Sequence, residues 1–481
     1  MTTKPVILIA ALCLSACTVG PDYFSPINAA SDQWASVDPA HISLDPITVE
    51  WWTIFNDPLL NDYINQAAQQ NKDLEIALAN LRYARALRRE ENAAFLPQIG
   101  GAAQASRSKS SAATSTTGNA NIRNLYDTGF DASWELDIFG GNRRAIEAAD
   151  ARIGSAQASY HDVMLSTLAE VARNYYEARG LQKRITLLEN NADLQQQTFE
   201  VVKARLEVGE ASEFDLSRAR GEYQLTRARV PNLKAELNAS IYTLSVLLGQ
   251  PPEALLAEMS TVKPLPAPPD IVPVGLRSDI LRRRPDIKIA ERALAAYTAE
   301  IGVETSALFP KLFLTGDIGS QARVFGDLFS ASGGIWSLGS LVQWSVFEGG
   351  AIRARIKAKE AQSEGALALY EKTVLEALAD VETTLTRYGQ EIETRKRLND
   401  GVQSRRQSVR LAKDLFNTGE TDYLAVLDSE RELTASEDDL VISETNSITK
   451  LIALYAALGG GWDFAPEDHA DRPDDVTMQK P

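Results

Sequence analysis

Between Ile146 and Val202 the apolar side chains recur at mixed steps of three and four. They begin with Ile146, Ala149, Ile153, Ala156, Tyr160 and Val163, and continue through Leu168, Val171, Tyr175 and Ala178. Ile185, Leu188, Ala192, Phe199 and Val202 complete the series. This is a coiled-coil seam with one shift of phase near its middle. Its many alanines let neighbouring helices approach closely. Neither Arg143 to Leu206 nor Ile352 to Asn417 contains a proline. At 1.5 Å per residue each run is roughly 95 to 100 Å of helix, whereas helices in soluble domains average three or four turns. An ordinary helical hairpin would share the seam but would not account for that length.

Immediately before each long run the period drops to two. Phe130, Ala132, Trp134 and Leu136 share one face of a strand, and Asp131, Ser133, Glu135 and Asp137 the other. Downstream, Trp336, Leu338, Val342, Trp344 and Val346 share a parity opposed by Ser337, Gly339, Gln343 and Ser345. One apolar and one polar face is what a lipid-facing, water-lined barrel needs, although a half-buried soluble sheet has the same pattern. The partner strands are weaker: Gln98 to Arg107 is rich in Ala and Gly, and Lys311 to Gly319 alternates only in part. The Ser/Thr-rich stretch from Ser106 to Thr117 reads as an exposed loop.

These elements come twice. Val208-Gly209-Glu210-Ala211-Ser212 answers Thr418-Gly419-Glu420-Thr421-Asp422, and Leu248-Gly249 answers Leu458-Gly459, both at an offset of 210. Trp134 through Gly140-Gly141 answers Trp344 through Gly349-Gly350, and Phe95-Leu96-Pro97 answers Leu308-Phe309-Pro310 at 213. Such drift is what duplication followed by loop-length change leaves. The halves are joined by a linker with seven prolines between Pro251 and Pro273, which cannot be helix interior. The halves differ in one respect. The second helix of the first hairpin contains Pro231 where the second half has Val441, so a kink is expected in only one of them.

Four strands per chain leave two open edges, which hydrocarbon does not tolerate. Barrels of about eight strands are filled by their own side chains, so a conducting pore needs more than two chains. Three copies, giving twelve strands, are the smallest plausible open pore.

Composition narrows the setting. The chain has 481 residues, 24% of them charged and 44% hydrophobic, which excludes both disorder and a polytopic helical membrane protein. Past the N-terminus no run approaches the ~18 apolar residues of a spanning helix. Lys4, the apolar run Pro5 to Leu14 and the small residues Ser15 and Ala16 resemble a secretory signal. Leu14-Ser15-Ala16-Cys17 looks like a bacterial lipobox that leaves a lipidated Cys17, and threonine rather than aspartate at position 18 by resemblance favours delivery to the outer membrane. Cys13, the other cysteine, lies in the segment removed, so the mature protein would have no disulfide even in an oxidising compartment. A formal net charge of −16 argues against nucleic acid as a partner. Solubility alone would account for that charge; an acidic lumen favouring cations is the sharper reading.

Four segments carry a resemblance: Cys17-Thr18-Val19-Gly20-Pro21-Asp22-Tyr23, Trp51-Trp52 with Phe55-Asn56-Asp57-Pro58, Leu281-Arg282-Arg283-Arg284-Pro285-Asp286, and Leu458-Gly459-Gly460-Gly461-Trp462. Together they resemble signatures of outer-membrane efflux lipoproteins, the NodT/OprM branch of the TolC-like channel-tunnel family, over essentially the whole mature chain. The resemblance implies a mainly α chain with a membrane β-barrel. Its assembled form would be a trimeric 12-stranded β-barrel continued by a long α-helical barrel, with two structural repeats per chain and an equatorial belt. It further implies a homotrimer in the bacterial outer membrane, lipid-anchored and extending into the periplasm. Its partners would be a periplasmic adaptor (membrane fusion) protein and an inner-membrane transporter of the resistance-nodulation-division type. No cofactor is expected beyond the covalent lipid on Cys17.

On this reading residues 1–16 are the lipoprotein signal peptide and 17–55 the lipidated and equatorial segment. The first repeat is 56–250, with a β-hairpin about 98–138 and a helix hairpin about 143–248. An equatorial linker, 251–284, leads to the second repeat, 285–462, with hairpins about 311–347 and 350–458. The acidic segment 463–481 is a flexible tail. Tyr423 to Arg431 resembles the family's gate segment, which assigns Leu424, Asp428 and Arg431 to a constriction at the periplasmic tip. Leu424 and Asp428, four apart, point the same way, and Arg431, three on from Asp428, can offset its charge. A plain surface Asp–Arg pair is the alternative. The glycine turns imply adaptor contacts at Gly209, Ala211, Ser212, Gly419 and Thr421.

Enzymatic activity has little support. His41, His161 and His469 lie far apart without metal-ligand spacing, and there is no nucleotide loop or nucleophile elbow. Two rivals keep parts of the pattern. A structural coiled-coil lipoprotein explains the lipobox and the helices but not the amphipathic hairpins, and a duct for polypeptide secretion keeps the fold and changes the cargo.

Overall fold

The computed structural model describes residues 18–26, 34–35, 42–114, 120–269 and 271–464. Cys17, the signal segment, His41, most of the acidic tail and the middle of the Ser/Thr-rich loop lie outside them. Among the described residues no helix is long and apolar enough to cross a membrane. The elements in chain order are β1 (Ile42–Ser43), α1 (Pro58–Gln70), α2 (Lys72–Ala93), β2 (Gln98–Lys109), β3 (Ile122–Leu136), α3 (Gly141–Glu207) and α4 (Glu213–Leu247). They continue with β4 (Val272–Pro273), α5 (Arg277–Arg283), α6 (Pro285–Ser306), β5 (Lys311–Ala322), β6 (Gly334–Gln343), α7 (Ala351–Thr418) and α8 (Tyr423–Ala457). α3 has 67 residues and α7 has 68. α4 is helical through Pro231, whose ring withholds one ladder donor.

The chain divides into two compact units. One, residues 1–27, 80–157 and 289–371, contains an antiparallel sheet in the order β2-β3-β5-β6. β2 runs past the expected Arg107 into the stretch read as a loop: Ser108 and Lys109 are strand as well, paired with Arg123 and Ile122. A ladder needs only backbone donors and acceptors, so a Ser- and Arg-bearing stretch can extend it where both faces are exposed. β6 stops at Gln343, short of the expected Trp344 and Val346, because Lys311 is the last residue of β5 available to pair.

The N-terminal motif is clamped in the same unit. Val19 N–H donates to the Phe139 carbonyl at 3.1 Å. The buried Arg144 guanidinium donates to the carbonyls of Val19 (3.1 Å) and Gly20 (3.3 Å) and to the carboxylates of Asp22 and Glu147, both at 2.6 Å. Gly20 has φ +90°, and a Cβ there would lie 2.4 Å from the Gly302 Cα, so only glycine lets the segment lie this close to α6. Tyr23 donates to Glu291 at 3.1 Å, and burial, then that carboxylate, push its hydroxyl up to about 12.

The other unit, residues 28–79, 158–288 and 372–481, gathers the three remaining motifs. Trp51 stacks on Tyr455 of α8 with centroids 5.6 Å apart, and Phe55 meets Tyr176 of α3 at 4.9 Å. Asp57 caps α1 at Leu59 N–H (3.1 Å) and accepts the Tyr175 hydroxyl at 2.5 Å. Arg284 joins three elements: it pairs with Asp286, pairs with Asp380 of α7 at 2.9 Å, and caps the Ala457 carbonyl at the end of α8 at 2.8 Å. Gly459 to Gly461 follow, and a Cβ on Gly461 would come 2.9 Å from the Trp51 indole nitrogen. Here α3 is buried on more than one side, since Val171 and Ala172, and Tyr175 and Tyr176, are all inaccessible. A single-seam hairpin would bury only one residue of each pair.

Trp462 closes this core. Its indole donates to the Arg283 carbonyl at 2.9 Å, and its ring stacks on His161 at 4.6 Å. Burial holds the His161 imidazole below its usual range, partly offset by Asp463. On its neighbour Asp162, burial and then Asp286 raise the carboxyl, against Arg284. A base whose folded pKa is depressed binds its proton more readily when unfolded. Its contribution is therefore complete above the unfolded value near 6.5 and is lost as pH falls from there toward the folded value. Asp162 acts in the opposite sense, since the folded state takes up its proton first. Thermal midpoints compared between about pH 7.5 and 5.5 should fall further in wild type than in His161→Phe. Equal slopes would refute this role.

Candidate functional site: a two-faced sheet and paired helix tips

Register aligns the alternation of the strands across the sheet. Phe130, Ile318 and Trp336 form one row, Ala132, Gly316 and Leu338 the next, and Leu136, Leu312 and Val342 another. Apolar side chains on this face stay open: Phe130 is 64% exposed, Trp336 78% and Leu338 81%. On the opposite face Asp131 lies across from Asp317, which accepts the Ser337 hydroxyl. Gln321 donates to Asp127 at 3.0 Å, and Lys311 pairs with Glu135 at 3.1 Å. The sheet is therefore apolar on one side and carries carboxylates on the other, and among the described residues nothing pairs with its edges at β2 and β6.

In the second unit, the ends of the two helix hairpins share a small core of Val202, Leu216, Ala219, Ala412, Tyr423, Val426 and Leu427. Both turns are built alike. Gly209 and Gly419 have φ of +79° and +78°. Around them run the paired bonds Gly209 N–H to Leu206 O and Glu210 N–H to Arg205 O, matched by Gly419 to Phe416 and Glu420 to Leu415. Ser212 and Asp215 form a reciprocal capping box on α4, and Asp422 caps α8 at Ala425 N–H (3.3 Å). A Cβ on either glycine would meet nothing within 4 Å. Of the proposed adaptor contacts, Gly209 and Gly419 are thus open, Ala211 packs against the tip core, Ser212 is spent on the cap, and Thr421 is half-buried.

Leu424, Asp428 and Arg431 all lie exposed on α8. Arg431, however, turns away from Asp428: its Nε lies 3.0 Å from Glu222 of α4, on the other hairpin. Glu430 faces inward and pairs with Lys413 of α7 at 2.7 Å. Tyr423 is buried beneath them, and burial followed by Glu430, Glu222 and Asp215 raises its hydroxyl well above the ordinary range. Reasoning within one helix missed Glu222. A signal existed: Glu222 lies ten residues past the Ser212 cap and Arg431 nine past Asp422, which puts them at the same height on adjacent hairpins. Among the described residues no group of three or more His, Cys, Asp or Glu side chains could hold a metal.

The model of the outer membrane efflux protein family matches residues 63–250 and 276–460, one match per repeat. Nodulation protein T of Rhizobium leguminosarum bv. trifolii is 30% identical over 459 residues, covering 94% of this chain and 96% of that protein. The toluene efflux pump outer membrane protein TtgC of Pseudomonas putida is 32% identical over 471 residues, covering 96% of each. The solved structure of the outer-membrane channel OprN has a TM-score of 0.88 and 35% identity, over 93% of this chain and 100% of that one. With both repeats matched and the relatives aligned nearly end to end, the chain belongs to the outer membrane efflux protein family.

Proposed function

We propose that three copies of this chain form the outer-membrane exit duct of a tripartite efflux pump, expelling toxic small molecules such as solvents and antibiotics from the periplasm. The observation that carries this reading is the two-faced sheet with open edges, which is complete only as part of a closed barrel. α3 and α7, each following a strand, extend the duct into the periplasm. The hairpin tips at Gly209 and Gly419 meet a periplasmic adaptor, which links the duct to an energised inner-membrane transporter. Leu424, Asp428 and Arg431 line the constriction that closes it. Cys17 carries the lipid: Thr18, the next residue, packs against Gly140 where β3 passes into α3. The chain conducts and performs no catalysis, so no cofactor enters its work.

Deleting the gene in its native host should lower the minimal inhibitory concentrations of unrelated antibiotics and organic solvents about fourfold or more, and the wild-type copy should restore them. Unchanged susceptibility together with loss of an exported polypeptide would replace small-molecule efflux by protein secretion.

A further inference from the structure

No acidic residue occurs between Glu91 and Asp127, whereas Arg107, Lys109 and Arg123 do, in a chain whose formal net charge is −16. The second hairpin carries one charge of each sign near its end, Arg323 and Asp327. The excess of cations is therefore local to the end of the first hairpin. From that end β3 runs from Ile122 to Leu136, and α3 begins soon after, at Gly141. The cations thus stand at the end of the sheet away from the helices.

Register places two of them on one face. β2 and β3 pair without a break from Gln98 opposite Ser133 to Lys109 opposite Ile122. Arg107, opposite Asn124, and Lys109 therefore share the apolar face with Ile99 and Phe130, while Arg123 lies on the face that carries carboxylates. Below Arg107 the apolar face is uncharged; on β3 it presents Tyr126, Thr128, Phe130, Ala132, Trp134 and Leu136. From Leu136 to Tyr126, ten steps of about 3.3 Å on a strand tilted about 40° rise about 25 Å along the membrane normal, the height of the apolar band of an outer-membrane barrel. Trp134 lies near the lower limit of that band. At its upper limit Tyr126 meets the exposed Phe325 edge-on at 5.5 Å, where girdle aromatics belong. Arg107 and Lys109, two and four residues beyond Tyr126 in the ladder, stand about 5 and 10 Å above the band. Both are exposed, and among the described residues neither has a carboxylate partner.

We propose that Arg107 and Lys109 form a binding site for the phosphates of lipid A, the glycolipid anchor of lipopolysaccharide in the outer leaflet. This rests on the barrel reading above, which turns the apolar face to lipid and the hairpin ends outward. Alternate residues on one face of a strand are about 6.6 Å apart, so both side chains can reach one phosphate. The guanidinium supplies a bidentate donor and the ammonium a point charge. The uncharged wall below Arg107, with Phe325 beside it, takes the acyl chains. The opposite end of the sheet offers no such match to the phosphates of the inner leaflet. There Lys311 lies on the other face and pairs with Glu135 at 3.1 Å.

The test uses the full-length protein, purified from outer membranes in mild detergent and freed of bound lipid. It is titrated in mixed micelles with bisphosphorylated lipid A, with lipid A stripped of both phosphates, and with phosphatidylglycerol, and bound lipids are counted by native mass spectrometry. Arg107→Gln should weaken binding of bisphosphorylated lipid A about fivefold, and Arg107→Gln with Lys109→Gln about 25-fold. Arg123→Gln removes the same charge from the other face at a similar height and should leave binding nearly unchanged. The stripped lipid should bind wild type as weakly as the bisphosphorylated one binds the double variant. Equal binding by wild type and the double variant overturns the site, as does an equal loss in Arg123→Gln. Phosphatidylglycerol held as tightly as lipid A, with the same dependence on both cations, overturns the assignment to lipid A. Resistance restored to a deletion strain reports the duct separately. A double variant that restores resistance and binds lipid A like wild type sinks the lipid site alone, whereas a wild-type copy that restores none sinks the efflux reading.

Discussion

Purified Asp428→Ala combined with Arg431→Ala should open in planar bilayers far more often, and to larger single-channel conductance, than the wild-type protein. Arg431 pairs with Glu222 across the two hairpins at 3.0 Å, and that pair ties α8 to α4 at the tip. Because the Arg431 side chain is half exposed, solvent screening holds the pair to about 0.5–1 kcal/mol. In a threefold assembly the same contact is lost three times in one concerted transition. The combined effect is about 1.5–3 kcal/mol, and each 1.4 kcal/mol is tenfold in the balance between closed and open. On the proposed constriction, removing Asp428 also takes away a ring of like charges, which alters cation preference more than opening. Glu222→Gln separates the two contributions, because it breaks the cross-hairpin pair and leaves the Asp428 ring in place. It should reproduce most of the rise in open probability. If Glu222→Gln and the double variant both conduct as wild type does, the constriction lies elsewhere.

Gly180→Ala should destabilise the protein, and Thr445→Ala should restore much of the loss. A Cβ on Gly180 of α3 would lie 2.2 Å from the Thr445 Oγ1, 2.7 Å from its Cγ2 and 3.0 Å from its Cβ on α8. A threonine side chain branches at Cβ and cannot swing clear as a long flexible chain would, so the two helices must separate. Overpacking of this kind costs about 1–3 kcal/mol, more than the ~1 kcal/mol that alanine gains over glycine in helix propensity. Thr445→Ala removes the two nearest atoms and leaves only the 3.0 Å contact. The thermal midpoint should therefore fall in Gly180→Ala, fall further in Gly180→Leu, and recover in Gly180→Ala with Thr445→Ala, a coupling that a double-mutant cycle reads directly. If the effects of the two alanines simply add, the close approach of α3 and α8 at this point is refuted.

The two predictions differ in how far the chain alone reveals their basis. The long helices follow from local information: no proline interrupts them, and the apolar steps of three and four persist from Ile146 to Val202. The alternation around Phe130 and Trp336 and the turns at Gly209 and Gly419 are equally local, because strand period and left-handed glycine are properties of neighbouring residues. Duplication is also legible, since its anchors recur at nearly constant offset. From these came the strand count, the two repeats and the tips.

What the chain by itself left open are contacts between residues distant in sequence. The motif around Arg284 is recognisable as a signature, but nothing local shows that its guanidinium caps the end of α8 and holds Asp380 of α7. Trp51 and Tyr455 are 404 residues apart and stack only because α8 ends beside the N-terminal segment. Arg431 has a plausible partner one helical turn back, in Asp428, yet its carboxylate is Glu222. The choice depends on the height and rotation of two hairpins packed around Tyr423, which side-chain spacing along one helix does not encode. Gly180 is one helical glycine among several until Thr445 is placed opposite it. Local periodicity determined which elements exist and which faces they present. Long-range packing decided which of those faces meet, because that depends on shape and rotation between segments distant in sequence.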